Sequence, residues 1–486
     1  MSHFINDFIG VVYILNFIIA MGIIFIDKKE PSASMAWIMM LYLLPVVGLV
    51  LYIIFSQHIA QSKLYRMQDK EMERVDFLLS YQMDMMGERD YFYPSEVTRK
   101  WSHMIRLNQS YGGALLTANN NVELISDGKL KYHRLMEDIR HAEHRINIMY
   151  FIIKDDAVGR KLIDLLTKKA EEGVEVRLLM DALGSKQINR FKLKKFREAG
   201  GKYAFFFKPF MRLIQLRLNY RNHRKIAIID DRIAYTGGFN MAREYLGYKK
   251  KFGYWRDCHI RITGDAVMSM TARFFFDWRF ASGEKVDILA ESMKSITEEG
   301  EKAGDMPVQV VSSGPESSKE EIKHSLMKMI TYAKKTIYLQ TPYLVPDRAM
   351  MDSLVMAAQS GVDVRIMIPR QPDHPFVYWT TLANAGELIK AGAKVYIYKK
   401  GFLHAKTLVV DGEVGTVGSA NFDIRSFRLN FETNAFVYDR KFAAEMEETF
   451  MNDIKSSVEY TAKDRENVDI FQHMLESVSR LLTEIL

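Results

Sequence analysis

His223-Arg-Lys225-Ile-Ala-Ile-Ile-Asp230, followed after six residues by Gly237-Gly-Phe-Asn240, has a counterpart further along the chain. There the sequence reads His404-Ala-Lys406-Thr-Leu-Val-Val-Asp411, then six residues, then Gly418-Ser-Ala-Asn421. Five residue types (His, Lys, Asp, Gly, Asn) recur at the same offsets, 2, 7, 14 and 17 residues after the histidine. At average residue frequencies the other four follow a given histidine by chance roughly once in 10⁵, so the match is an internal repeat. The four apolar residues between Lys and Asp predict buried strands. Residues two apart on a strand share a face, so His223 and Lys225 enter one site, as do His404 and Lys406, while Arg224 points the other way.

The flanks repeat too. Ala142-Glu-His-Arg-Ile146-Asn-Ile-Met-Tyr-Phe and Ala333-Lys-Lys-Thr-Ile337-Tyr-Leu-Gln-Thr-Pro each carry a helical stretch into an apolar strand. Gly173-Val-Glu-Val-Arg177-Leu-Leu-Met and Gly361-Val-Asp-Val-Arg365-Ile-Met-Ile each follow an amphipathic helix, predicted over 160–172 and 349–360. Strand, helix, strand in that order requires parallel pairing. The fold class is therefore α/β, with two duplicated lobes over 112–290 and 306–486 meeting at a pseudo-twofold interface. Glu291 to Lys319 is poor in apolar residues and reads as a connection, with 291–305 as the linker proper.

Composition removes several alternatives. The chain of 486 residues has one cysteine, Cys258, so no disulfide framework or cysteine-rich metal site can form. Hydrophobic residues make up 48% and prolines number 11, which excludes disorder. A net charge of +7 points to an anionic partner, nucleic acid or acidic lipid. The N-terminus favours lipid: 8–26 is uncharged, and 33–55 is uncharged again after Asp27-Lys28-Lys29-Glu30-Pro31-Ser32. Each stretch is long enough for a bilayer core of about 30 Å. Two transmembrane helices are expected over 1–60, and a connecting helical arm over 61–111. A cleaved signal peptide is disfavoured, since no basic segment precedes the first stretch and no small-residue cleavage site follows it. Lys63, Arg66, Lys70 and Arg74 after the second stretch outnumber Lys28 and Lys29 in the turn, placing the lobes on the cytoplasmic side of the plasma membrane as a multi-pass protein.

Two strands brought together across the pseudo-twofold place two imidazoles and two ammonium groups around one point, with Asn240 and Asn421 close by. That is a pocket for a phosphate. Cationic and neutral donors hold the nonbridging oxygens of a phosphodiester and strengthen as charge builds in the transition state. One imidazole can attack phosphorus while the other protonates the leaving alkoxide. The chemistry needs no metal or other cofactor, and none is expected. His259 and His374 have no such company and read as an ordinary strand residue and a loop residue.

These paired HxKx4Dx6GxxN segments resemble the two HKD motifs of the phospholipase D superfamily, whose fold is two α/β halves with the active site between them. The N-terminal apolar pair, Gly237-Gly-Phe-Asn240 leading to Glu244-Tyr-Leu-Gly247, Trp255-Arg-Asp257, Gln340-Thr-Pro-Tyr343, and the run Asn421-Phe-Asp-Ile-Arg425-Ser to Asn430-Phe-Glu432 are similar to bacterial cardiolipin synthases. The resemblance implies that His223 is the nucleophile forming a phosphatidyl-histidine and that His404 is general acid, then base. It implies phosphate holding by Lys225, Lys406, Asn240 and Asn421. Asp230 and Asp411 would be structural or orienting members of the catalytic motifs, and Glu432 and Glu244 would orient the imidazoles. The implied reaction joins two phosphatidylglycerols into cardiolipin and glycerol; a phospholipase D-type hydrolase or another phosphatidyltransferase uses the same intermediate.

Between Lys186 and Lys225 stand thirteen Lys and Arg and one acid, Glu198, interleaved with Phe205-Phe-Phe-Lys-Pro-Phe210. Such a surface suits the headgroup zone of anionic lipid. The partners expected are therefore phosphatidylglycerol, other anionic phospholipids and the bilayer, and not nucleic acid, because a nuclease has no use for bilayer-crossing helices beside its site.

Overall fold

Both motif strands lie inside large sheets. The computed structural model describes residues 2–25, 31–55, 69–87, 93–207, 220–249, 251–296, 301–317, 319–371 and 373–483. In the first sheet the order is Asn120–Ile125, His259–Gly264, Ile233–Gly237, Ile226–Ile229, Arg145–Tyr150, Glu175–Asp181, Lys202–Phe206. In the second, Val308–Ser313, Asn430–Val437, Val414–Gly418, Thr407–Val410, Thr336–Gln340, Asp363–Pro369 and Lys394–Tyr398 follow the same order, with Leu116–Thr117 and Ser457–Tyr460 added at the edges. The duplication read from the motifs is thus a duplication of topology.

Each lobe has the parallel crossover that its sequence order demands. Arg145–Tyr150 pairs in parallel with Glu175–Asp181, and Thr336–Gln340 with Asp363–Pro369. The connecting helices, Ala157–Glu171 and Arg348–Gln359, begin at Asp156 and Asp347, whose carboxylates accept from free backbone N–H groups of the first turn. The motif strands run antiparallel to the first strand of each crossover, which turns the two histidine ends toward the middle of the molecule.

The core has three layers. One apolar cluster lies on the outer side of the first sheet (Ile146, Leu162, Phe196) and another on the outer side of the second (Ile366, Leu354, Leu388). The third lies between the sheets and draws on both lobes, joining Ile226, Ile228 and Trp278 to Val409, Phe431 and Phe450. The site is held by this shared middle layer, so neither lobe positions it alone.

Three details differ from the sequence expectations. Phe206 and Phe207 are buried in the middle layer against Phe280 and Phe431, so they are core residues and form no lipid-facing surface; Phe210 lies outside the described residues. The arm is more than a connector, because Trp101, Met104 and Ile105 complete the core of the second lobe and Trp101 donates to Glu413 at 3.0 Å. Within Glu291 to Lys319, Val308–Ser313 is a full strand of the second sheet.

At the N-terminus, Ser2–Phe25 is one apolar helix, and Asp7–Phe25 is long and apolar enough to cross a membrane. The second stretch is broken rather than straight. It forms two helices, Pro31–Leu43 and Pro45–Phe55, of 13 and 11 residues. Pro45 lacks the N–H that would bond the Leu41 carbonyl four residues back, and that carbonyl accepts instead from the Asn16 amide at 2.7 Å, with the Pro45 carbonyl accepting at 3.1 Å. A Cβ on Gly48 would lie 2.4 Å from the Met40 carbonyl, so glycine is required where the chain turns back on itself. Asn16, the one amide in the first apolar stretch, thereby satisfies buried backbone of the second.

Candidate active site

The two motif histidines are reached by strand exchange between the lobes. Arg221–Asn222, just before His223, pairs in parallel with Asn430–Phe431 of the second lobe, and His223 N donates to Phe431 O at 3.0 Å. Gly401–Leu403, just before His404, pairs in parallel with Tyr254–Arg256 of the first lobe, and His404 N donates to Arg256 O at 2.7 Å. Each histidine backbone is therefore fixed to the opposite lobe.

The acids are exchanged in the same way. His223 Nδ1 lies 2.9 Å from Glu432 Oε1, and His404 Nδ1 lies 2.6 Å from Asp257 Oδ2. In both rings Nδ1 is the engaged nitrogen, which leaves Nε2 for chemistry. Asp257 and Glu432 occupy equivalent places: each stands two residues before the one that pairs with the motif glycine, His259 opposite Gly237 and Asn434 opposite Gly418. Both carboxylates are fully buried.

The motif's variable residues follow from this packing. A Cβ on Gly238 would fall 1.9 Å from Asp257 Oδ1, so only glycine allows the short aspartate to approach. In the second lobe the same place is Ser419, whose hydroxyl donates to Glu432 Oε2 at 2.5 Å. A longer acid with a hydroxyl support on one side corresponds to a shorter acid with a glycine on the other.

Sequence reasoning missed Asp257 and Ser419 as site residues and placed Glu244 where it does not belong. Glu244 sits in the tight turn Arg243–Leu246 after Asn240, and its carboxylate is taken by Lys154. The turn instead presents Tyr245 to His404, ring centroids 6.3 Å apart. The signal for Asp257 was the repeat of the acid strand, read by register instead of by offset.

Asp230 and Asp411 are not in the site either. They lie at the far end of the motif strands with φ of +50° and +55°. Asp230 accepts from the backbone N–H groups of Glu143, His144 and Arg145, all at 2.8 Å. Asp411 does the same for Lys334, Lys335 and Thr336 at 2.7 to 3.1 Å. Each one clamps the loop entering the neighbouring strand, so of the two roles expected of them, structural or orienting, theirs is the structural one, and neither counts among the catalytic groups.

Lys225 donates to its own histidine's carbonyl at 2.5 Å, and Lys406 donates to the His404 carbonyl while standing 2.7 Å from His404 Nδ1. Asn240 is partly committed: Oδ1 accepts from Ile152 N at 3.1 Å and Nδ2 donates to Tyr245 Oη at 2.8 Å, leaving one N–H. Asn421 is buried with its Oδ1 unpartnered.

Aromatic rings wall both histidines. Phe151 stands edge-on to His223 at 5.1 Å, and Trp255 and Phe402 flank His404 at 5.2 and 5.9 Å. Burial pushes His404 down to about 4, with the Lys406 charge acting the same way and Asp257 opposing it. Burial likewise lowers His223 against the pull of Glu432, and lowers Lys225 to about 7. Burial alone would raise Asp257 and Glu432, but the neighbouring lysines and histidines outweigh it and hold both carboxyls below their ordinary values. Charges act between the lobes at this point: Lys406 acts on both His223 and Lys225, Glu432 on Lys225, and Asp257 on Lys406. An anionic phosphodiester placed among these groups would restore the charges that burial removes.

Behind the motif strand, Arg224 is fully buried and bonds Asp277 at 2.8 and 2.9 Å, the Glu432 carbonyl at 3.0 Å and the Ser313 carbonyl at 3.0 Å. It ties the two lobes together beneath the site. A cavity of about 300 Å³ bordered by Leu78, Phe276 and Val310 contains none of the paired histidines and lysines. His259 is a fully buried strand residue and Cys258 a buried free thiol. His374 is exposed, but its neighbour Asp373 accepts from the Tyr343 hydroxyl and its charge reaches His404 and Lys406.

The family model described as cardiolipin synthase, PLD-like domain, matches twice, at 135–265 and 326–454, and one described as phospholipase D-nuclease N-terminal matches 14–57. The chain is 44% identical to the major cardiolipin synthase ClsA of Bacillus subtilis (strain 168), over 98% of both chains. It is 42% identical to a cardiolipin synthase of Oceanobacillus iheyensis over 98% of both, and 41% identical to cardiolipin synthase 2 of Staphylococcus epidermidis over 99% of this chain and 98% of that one. Among solved structures, phosphatidylserine synthase of Haemophilus influenzae Rd KW20 shares the fold, with a TM-score of 0.61 and 14% identity over 79% of this chain and all of that one.

Proposed function

The chain belongs to the cardiolipin synthase family of phospholipase D-like proteins, and from that premise we propose that it makes cardiolipin and glycerol from two molecules of phosphatidylglycerol. The observation that carries the mechanism is the reciprocal acid exchange, Glu432 on His223 and Asp257 on His404, which leaves the Nε2 of each imidazole open; in this reading both serve a single phosphorus.

In the first half, His223 Nε2 attacks the phosphorus of one phosphatidylglycerol. A P–N bond forms, the P–O bond to the headgroup glycerol breaks, and His404 gives its proton to the departing oxygen. Glu432 and Asp257 steady the imidazolium charge on each ring. In the second half, a headgroup hydroxyl of another phosphatidylglycerol loses its proton to His404 and attacks phosphorus, and the bond to His223 breaks. Lys225, Lys406, Asn421 and the remaining N–H of Asn240 hold the nonbridging oxygens. Every step uses side chains of this chain.

The substrates are bilayer lipids. The apolar N-terminal segment would hold the lobes at the surface where both are concentrated, on the cytoplasmic side by the excess of Lys63, Arg66, Lys70 and Arg74. Purified protein in detergent, given phosphatidylglycerol, is expected to release cardiolipin and glycerol in equal amounts. Phosphatidic acid as the main product would overturn the transferase reading in favour of hydrolysis.

A further inference from the structure

The C-terminal helix Ile470–Thr483 is built inside out. Its buried residues are polar: Glu476, 3% exposed, bonds Arg465 at 2.7 and 2.8 Å, and Ser479 is also buried. Five of its large apolar residues face outward, Ile470, Phe471, Met474, Val478 and Leu481, between 51% and 80% exposed, while Leu475 is half-buried. At about 100° per residue these five fall within one arc of about 100°. A helix packed on a water-soluble fold turns such a stripe inward. On one flank of it stand the exposed His473 and the base Arg480, and the acid Glu476 is turned into the fold. An apolar stripe with a base on its flank and its one acid turned inward fits a helix lying in a lipid interface.

The position of this helix points to the occupant. It packs on Pro375–Lys390, which starts immediately after Asp373, the acid whose charge reaches His404 and Lys406. That supporting helix also holds the segment after Tyr343, since Asn384 donates to Leu344 O at 3.0 Å and Leu344 N donates to Thr381 at 3.1 Å. Arg480 borders the same cavity of about 110 Å³ as Val345, Asn384 and Ile424. The C-terminal end of the stripe therefore runs toward the rim of the paired-histidine site.

We propose that this stripe lies in the headgroup zone of the bilayer and sets the height of the His223–His404 site over the lipids it draws in. The inference rests on the phospholipid-substrate reading above and adds to it a second membrane contact, independent of the N-terminal helix.

The test uses the full chain reconstituted in vesicles containing phosphatidylglycerol. Met474→Cys, labelled with an environment-sensitive fluorophore, is expected to be quenched by lipids spin-labelled just below the headgroup and shielded from an aqueous quencher. Quenching by the aqueous reagent alone, or cross-linking of the introduced thiol to its counterpart on a second copy, would overturn the proposal. A variant carrying Phe471→Ser, Met474→Ser and Val478→Ser is expected to lose about tenfold in rate on vesicle lipid, while retaining its rate on dissolved short-chain phosphatidylglycerol. Equal losses on both substrates, or none on either, would contradict it. Were the unmodified protein to form no cardiolipin, the substrate reading alone would fail, and the quenching result would still decide the membrane contact.

Discussion

Asp257 of the first lobe holds His404 of the second, Oδ2 to Nδ1 at 2.6 Å, across a contact that no single lobe can make. The mirror contact, Glu432 to His223, makes both active imidazoles dependent on assembly of the whole molecule.

Asp257→Asn is expected to fold normally and to lose roughly 10²- to 10⁴-fold in kcat, because an amide neither fixes the His404 tautomer nor supports its charge. Glu244→Gln is expected to stay close to the wild-type rate, since Glu244 pairs with Lys154 away from both rings. Initial rates on thermally verified protein check both.

The pH dependence has a worked sign. Attack needs neutral His223, which burial favours by lowering its proton affinity. Departure of glycerol needs protonated His404, which in the free site holds its proton only down near pH 4. The free-enzyme quantity kcat/KM is therefore expected to fall as pH rises through the neutral range. The fall steepens above about pH 7, where Lys225 also loses the charge that holds phosphate. In kcat the fall is displaced to higher pH, because bound phosphate favours the protonated forms. Lys225→Arg, which stays charged, should remove the steepening; an unaltered profile in that variant would contradict the assignment.

Asp230→Ala and Asp411→Ala are expected to cost about 1–3 kcal/mol each in stability, through three unclamped backbone N–H groups apiece. Their activity per folded molecule should stay near wild type. Denaturant unfolding combined with normalised rates separates this from a catalytic role, in which the rate falls and the stability holds.

Asp277→Ala removes the nearest carboxylate of the fully buried Arg224 guanidinium beneath both lobes, leaving it Glu316 at 3.3 Å and two backbone carbonyls. Breaking one side of such a pair costs about 3–5 kcal/mol, and unfolding is expected to show a loss of that order.

The duplicated α/β topology was legible because it is local: an apolar run between Lys and Asp, a crossover helix, and a second β-branched run occur twice at matching intervals. What defeated the reading was longer in range. Asp257 follows its motif glycine by a longer loop than Glu432 follows its own, so the offsets diverge although the register is kept. Glu244 stood nearer in sequence and drew the assignment. Phe206 and Phe207 sit among cations in sequence, yet their strand delivers them to the layer between the sheets. The second apolar stretch had the length of a bilayer span, and the cost of Pro45 there is visible only once Asn16 is seen bonding the carbonyl it frees.

The claim on which the rest depends is that His223 carries the phosphatidyl group between two lipids. Protein given phosphatidylglycerol labelled in its diacylglycerol-phosphate portion, quenched within one turnover and digested under alkaline conditions that preserve phosphohistidine, tests it most directly by mass spectrometry. The account predicts the phosphate on the peptide containing His223 and its absence in His223→Asn. Label on His404, or cardiolipin formed at full rate with neither histidine ever modified, would contradict it.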